Sequence, residues 1–145
     1  MKNLDRARKE EVKKKILSLH SGSPKKYRVK YYKKICRLIN TFAKYCNTDK
    51  KEMEKFVLKS LGEKCCYCGD IIDAKNISGD HIIPLTRGGV SYLSNFNIVC
   101  LSCNQRKGDL LDLEYKELLS MIDKWSEDAK RYVLTQLRKS DYYGS

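Results

Sequence analysis

Residues 65–69 read Cys65-Cys66-Tyr67-Cys68-Gly69, and residues 100–108 read Cys100-Leu101-Ser102-Cys103-Asn104-Gln105-Arg106-Lys107-Gly108. Two Cys-x-x-Cys pairs are thus separated by 31 residues. Each pair sits on a tight knuckle, so four thiolates can converge on one tetrahedral ion. Zinc is the default ion for four soft sulfur ligands. A closed four-sulfur site leaves no position for substrate, so its role is structural. The apolar content of this segment is too thin for a core of its own, and a bound ion supplies folding energy instead. Cys66-Tyr67-Cys68 is an alternative pair. The Cys-x-x-Cys spacing favours Cys65 and leaves Cys66 as a packed thiol.

Between the two pairs stand Asp80-His81-Ile82-Ile83-Pro84, a Gly88-Gly89 turn and Asn95, and Asn104 follows the last cysteine directly. In type and order these residues resemble the HNH endonuclease superfamily with its ββα-metal fold. The resemblance covers residues 65–108, under a third of the chain, and makes a phage or bacterial origin the expectation. It implies that Asp80 and Asn104 hold one divalent ion. A carboxylate and an amide oxygen are hard ligands, which suits Mg²⁺ or Mn²⁺. It implies His81 as the general base, since neutral imidazole accepts a proton near neutral pH. It assigns Asn95 to the middle position, where an Asn fixes the loop and orients the histidine; Asn97 is a weaker candidate for that place. The family's third letter is often His, and Asn104 stands there in this chain. Arg106 and Lys107 follow the metal residue and are candidates for phosphate contacts. One geometric objection arises. Asp80 and His81 are adjacent on a strand and so point to opposite faces unless a twist or bulge intervenes.

Outward from this segment the pattern turns helical. Leu4, Ala7, Val12, Ile16 and Leu19 form a stripe over residues 2–20. Ser21-Gly22-Ser23-Pro24 interrupts it, with Ser23 a candidate N-cap and Pro24 a first helical residue. The next helix runs to about Cys46, with Tyr27, Tyr31, Ile35, Leu38, Phe42 and Tyr45 on one face. A third follows Asn47-Thr48 and stops at Gly62. Ile71-Ile72 and His81-Ile82-Ile83 read as the strands of a hairpin, and Ile98-Val99 as a further extended piece. From Asp112 the chain is helical again, with Leu118, Leu119, Ile122 and Trp125 on one face and Ser126 capping a last helix. His20 reads as a loop residue. The expected fold is α+β: an HNH-like core at 65–110, a basic helical region at 1–64 and a C-terminal helical region at 111–145.

Charge points to the partner. The chain of 145 residues carries a net +12. Residues 1–64 hold 20 Lys/Arg against 7 Asp/Glu, a net of +13, while the rest is close to neutral. A nucleic acid is the natural partner for such a region, DNA first and RNA second. Lys25, Lys26, Arg28, Lys30, Lys33 and Lys34 are the candidate contacts, and Tyr32 the better exposed of the tyrosines for stacking on bases. No apolar run is long enough to cross a bilayer, and the N-terminus carries charge where a signal peptide needs its apolar stretch. The expectation is a cytoplasmic protein, monomer or homodimer, of a bacterial or phage-infected cell. In such a compartment seven cysteines argue for metal before disulfides. Two rivals remain: a non-catalytic zinc-stabilised DNA-binding module, and a nuclease that resolves branched junctions, which would need a dimer.

Overall fold

The computed structural model describes residues 2–144, with the side chains of residues 6–7 and 9–137. In chain order the elements are α1 (Lys2–Leu19), α2 (Lys25–Tyr45), α3 (Lys50–Ser60), β1 (Ile77–His81), β2 (Phe96–Cys100), α4 (Leu101–Lys107), α5 (Asp112–Ile122) and α6 (Glu127–Gly144). Short 3₁₀ turns at Leu85–Arg87 and Leu93–Asn95 lie between the strands. The fold is α+β, as expected. The hairpin, however, is not the one read from the sequence. β1 pairs antiparallel with β2, from Ile77 opposite Cys100 to His81 opposite Phe96. Ile71 makes only an isolated bridge to Lys64. The apolar doublet at 71–72 was misleading because its burial comes from a loop packed under α3, not from a strand: Ile72 is buried while Ile71 faces solvent.

The helices around this sheet start and stop for local reasons. The Asp49 carboxylate accepts a hydrogen bond from Glu52 N at 2.8 Å and caps α3. Asn47 ends α2 in the left-handed region (φ 51°), a conformation that Asn tolerates. Ser126 Oγ accepts from Ala129 N at 3.2 Å at the start of α6, as expected. Ser23 does not cap α2. Pro24 takes the cap position with no side-chain bond, and the helix begins one residue later than expected.

One apolar cluster runs through most of the described residues. It joins Val12 and Ile16 of α1, Ile35, Ile39 and Phe42 of α2, Met53 and Val57 of α3, Phe96, Ile98 and Val99 of β2, and Tyr115 of α5. Phe42 packs on Phe96 with ring centroids 5.2 Å apart. The layer α1–α3 thus covers one face of the hairpin, while α4 covers the other and packs in turn on α6. Each side chain so buried contributes roughly 1.5–3 kcal/mol, which makes α1–α3 part of the fold and more than a charged arm. The expected stripe on α2 holds only in its middle: Tyr27 and Tyr45 at its two ends are exposed, and the buried face shifts to Ile35, Ile39, Phe42 and Ala43. Tyr32, expected to be exposed, packs against the core, because α1 lies over it. On α1, Val12 and Ile16 are buried but Ala7 is exposed, and the Leu4 side chain lies outside the described residues. Trp125 lies past the end of α5 and is exposed. His20 is no loose loop residue: it is 4% exposed, its Nε2 accepts from Ala74 N at 3.1 Å, and its ring lies 4.5 Å from that of Tyr31. No helix among the described residues is long and apolar enough to cross a membrane.

Candidate active site and metal centre

The two Cys-x-x-Cys pairs converge. Cys65 and Cys68 lie on a knuckle closed by Gly69 N donating to Cys65 O at 2.9 Å, with Gly69 in the left-handed region at φ 81°. Cys100 ends β2, and Cys103 stands in the first turn of α4. The four sulfurs lie within 4.8 Å of one another, positioned to hold a metal ion. Backbone amides feed the cluster: Cys103 N donates to Cys100 Sγ at 3.4 Å and Cys100 N to Cys65 Sγ at 3.5 Å. Sulfurs this close cannot all ionise without a cation. Burial and the neighbouring sulfurs push the Cys68 thiol up to about 12. Hydrogen bonds with Cys100 and Cys65, together with burial, push Cys103 up too. Hydrogen bonds from Cys100 and Cys103 hold Cys65 down. A bound cation removes the conflict by stabilising all four thiolates. Cys66, expected to be packed, is exposed, and its sulfur accepts from Asn97 Nδ2 at 3.3 Å. Neighbouring knuckle positions point apart, so turning Cys65 inward turns Cys66 out.

Asp80 and His81 close β1. The pairing runs on without a bulge, with Asp80 opposite Asn97 and His81 opposite Phe96. Strand alternation therefore holds, and the two side chains leave opposite faces. Ser78 and Asp80 face α4. Asn104 Nδ2 donates to Ser78 Oγ at 2.7 Å and to Gly79 O at 3.1 Å, and its amide oxygen takes part in neither bond. Gly79 and His81 face the α1–α3 layer: a Cβ on Gly79 would meet Phe96 and Phe42, and the His81 ring lies edge-on to Phe96 with centroids 6.0 Å apart. The His81 Nε2 is buried and has no hydrogen-bond partner. Burial, and secondarily the charge of Lys107, hold the imidazole below its ordinary 6.5, so it is neutral near pH 7.

Asn95 locks the turn that follows His81. Its Oδ1 accepts from Ile83 N at 2.8 Å, and its Nδ2 donates to Ile83 O at 2.9 Å and Val90 O at 3.0 Å. Its own carbonyl accepts from Ile82 N at 2.9 Å. Gly89 fits because a Cβ there would lie 1.8 Å from Ile83 O. Asn97 has a different place, at Cys66, and does not touch this turn.

Lys107 departs from its expected place at the surface. It is 1% exposed, and its Nζ lies 3.2 Å from each Asp80 carboxylate oxygen and donates to His81 O at 3.0 Å. The signal for this was present in the sequence: three residues after Asn104 on a helix is the same face, here the face packed on β1. Arg106 falls on another side of α4, lining a groove with Tyr67, Leu119, Glu127 and Lys130, with its Nε buried and without a hydrogen-bond partner. On α2, Lys25, Lys26, Lys30 and Lys33 are exposed and Arg28 is half-buried. Lys34 is instead engaged, donating to Lys75 O at 3.2 Å and so tying α2 to the loop before β1.

Among curated proteins, none matches this chain. A family model described as HNH endonuclease matches residues 65–120. The sulfur cluster, the hairpin and α4 all lie inside that stretch, so it is this segment that is similar to the HNH endonuclease family.

Proposed function

We propose that the chain is a metal-dependent endonuclease that hydrolyses phosphodiester bonds in DNA, with His81 as general base and the four-cysteine cluster holding a structural zinc. The observation that carries this reading is the His81 Nε2, a buried imidazole nitrogen held neutral and left without a partner. Buried polar atoms are rarely left so without a functional reason. We read that reason as a water whose proton it takes; because His81 and Asp80 leave opposite faces, the phosphate would have to sit across the end of β1, where the two residues close the strand. Asn95 acts as a positioning residue by holding the turn at Ile82–Ile83. The donor chemistry at the α4 face of β1, one carboxylate and one amide oxygen, fits a hard divalent ion, with Asp80 and Asn104 as the residues that would hold it. Such an ion, Mg²⁺ or Mn²⁺, supplies positive charge to the phosphate and the leaving oxygen when bound. The exposed lysines of α2 attract the DNA backbone over a distance of about a Debye length, ~10 Å at 0.1 M salt.

A second reading is a zinc-stabilised DNA-binding module that does not cut. It is favoured by one observation: the Asp80 carboxylate already carries the Lys107 ammonium as its counter-charge. Supercoiled plasmid incubated with the protein, with Mg²⁺ or Mn²⁺ and with chelator, separates the two. We expect nicking or linearisation that requires the ion, and a loss of ~10²–10⁴ in rate for His81→Ala with zinc content and DNA binding retained. An inert wild-type protein that still binds DNA selects the binding module. A folded His81→Ala variant that cuts at the wild-type rate removes His81 from the mechanism.

A further inference from the structure

We propose that the Lys107 ammonium and the divalent ion compete for the Asp80 carboxylate, so that the ion binds only as Lys107 withdraws. This inference rests on the reading of Asp80 as an ion ligand and adds a positioning residue that regulates that ligand. Three observations carry it. The Lys107 Nζ is within 3.2 Å of both carboxylate oxygens, so no oxygen of Asp80 escapes it. The pair is closed off, with side-chain exposures of 0% and 6%, so water screens the ammonium from a second cation very little. The ammonium also bonds His81 O at 3.0 Å, which fixes it at the junction of the two residues that the chemistry uses.

A buried ammonium and a divalent ion on one carboxylate repel each other strongly, and one carboxylate cannot neutralise both. In the absence of the ion, Lys107 holds the Asp80 carboxylate toward α4. When the ion arrives, Lys107 has a way out. It is the last residue of α4, Gly108 follows it with a positive φ of 51°, and its four-carbon stem is flexible. Asn104, one turn earlier on the same helix, is held by Ser78 and Gly79 and need not move with it.

The test is Mn²⁺ affinity, read from the loss of the free-ion paramagnetic resonance signal on titrating the zinc-loaded full-length chain. Wild type, Lys107→Met, Lys107→Arg and Asp80→Asn are compared. Lys107→Met removes the charge and keeps the stem, and should bind Mn²⁺ about tenfold tighter or more. Lys107→Arg grips the carboxylate through two parallel bonds and should bind more weakly than wild type. Asp80→Asn should lose the ion. A folded Lys107→Met protein that binds Mn²⁺ no tighter than wild type, while Asp80→Asn loses it, overturns the competition and leaves the ligand reading intact. Should Lys107→Met fail to fold, wild-type affinity in Lys107→Arg overturns it equally. Mn²⁺ binding that is unchanged in Asp80→Asn overturns the ligand reading itself, and the competition with it.

Discussion

Replacing Asn95 by Ala tests whether one buried amide holds the turn behind the histidine. The side chain is 7% exposed and makes three hydrogen bonds, to Ile83 N, Ile83 O and Val90 O, at 2.8–3.0 Å. Each such bond contributes a net ~0.5–1.5 kcal/mol, and a buried group left without a partner costs more. The loss should therefore be about 2–4 kcal/mol if no water replaces the amide. For a chain of this size that lowers the melting temperature by roughly 6–15 °C. The damage should concentrate between Ile82 and Val90, where Ile83, Leu85 and Val90 are exposed and give the loop little apolar anchorage of its own. Hydrogen exchange should then show faster exchange at the Ile83 amide, with β2 and α2 protected as before. Asn95→Asp sharpens the test. It has nearly the same shape and keeps an acceptor for Ile83 N, but it places an oxygen against the carbonyls of Ile83 and Val90. It should be at least as damaging as Ala. With the turn loosened the imidazole is misplaced, and cleavage should fall by ~10²-fold. An Asn95→Ala protein with unchanged melting and an equally protected Ile83 amide would refute the argument.

Other outcomes follow from the same geometry. Cys103→Ser leaves three thiolates, so the protein should lose its zinc by elemental analysis and lose protection around residues 65–70 and 96–104; full zinc retention would contradict a four-sulfur site. His20 titrates below 6.5 in the folded chain because it is buried. Below pH 6.5 the unfolded chain takes up a proton that the folded one refuses, so this contribution is fully present above pH 6.5 and declines as pH falls toward the folded value. His20→Gln, which keeps an acceptor for Ala74 N, should therefore lose less melting temperature than wild type between pH 7.5 and 5.5; equal losses would exclude His20 as the source. Lys26→Glu, Lys30→Glu and Lys33→Glu together should weaken DNA binding and flatten its salt dependence while leaving the fold intact, since these side chains are exposed. An unchanged salt slope would place the DNA on another face. Deleting α1–α3 outright is a poor substitute for this triple variant, because it would also strip Phe42 and Val57 from the shared core.

The four-cysteine cluster and the family resemblance were legible in the sequence because both reside in local spacing. A Cys-x-x-Cys knuckle presents two sulfurs whatever surrounds it, and Asp80-His81, Asn95 and Asn104 stand in a set order between and after the pairs. The long amphipathic helices were legible for the same reason, since a period of 3.6 residues needs no partner to be seen. What failed was everything that depends on a distant neighbour. The strand Ile77–His81 reads Ile-Ser-Gly-Asp-His, with almost no apolar signal, and becomes a strand because β2 lies beside it and Phe96 covers Gly79. Tyr32 and His20 look like surface or loop residues until α1 and the loop at Ala74 close over them. Lys107 is the sharpest case. By itself a lysine at the end of a short helix is a solvated charge, and only the packing of α4 on β1 brings Asp80 within reach of its ammonium and shuts out water. Sequence alone determined which residues are candidates for the chemistry, because candidacy depends on side-chain type and spacing; tertiary structure decided which of them meet, because pairing a buried charge requires groups from two separate elements to arrive at the same place.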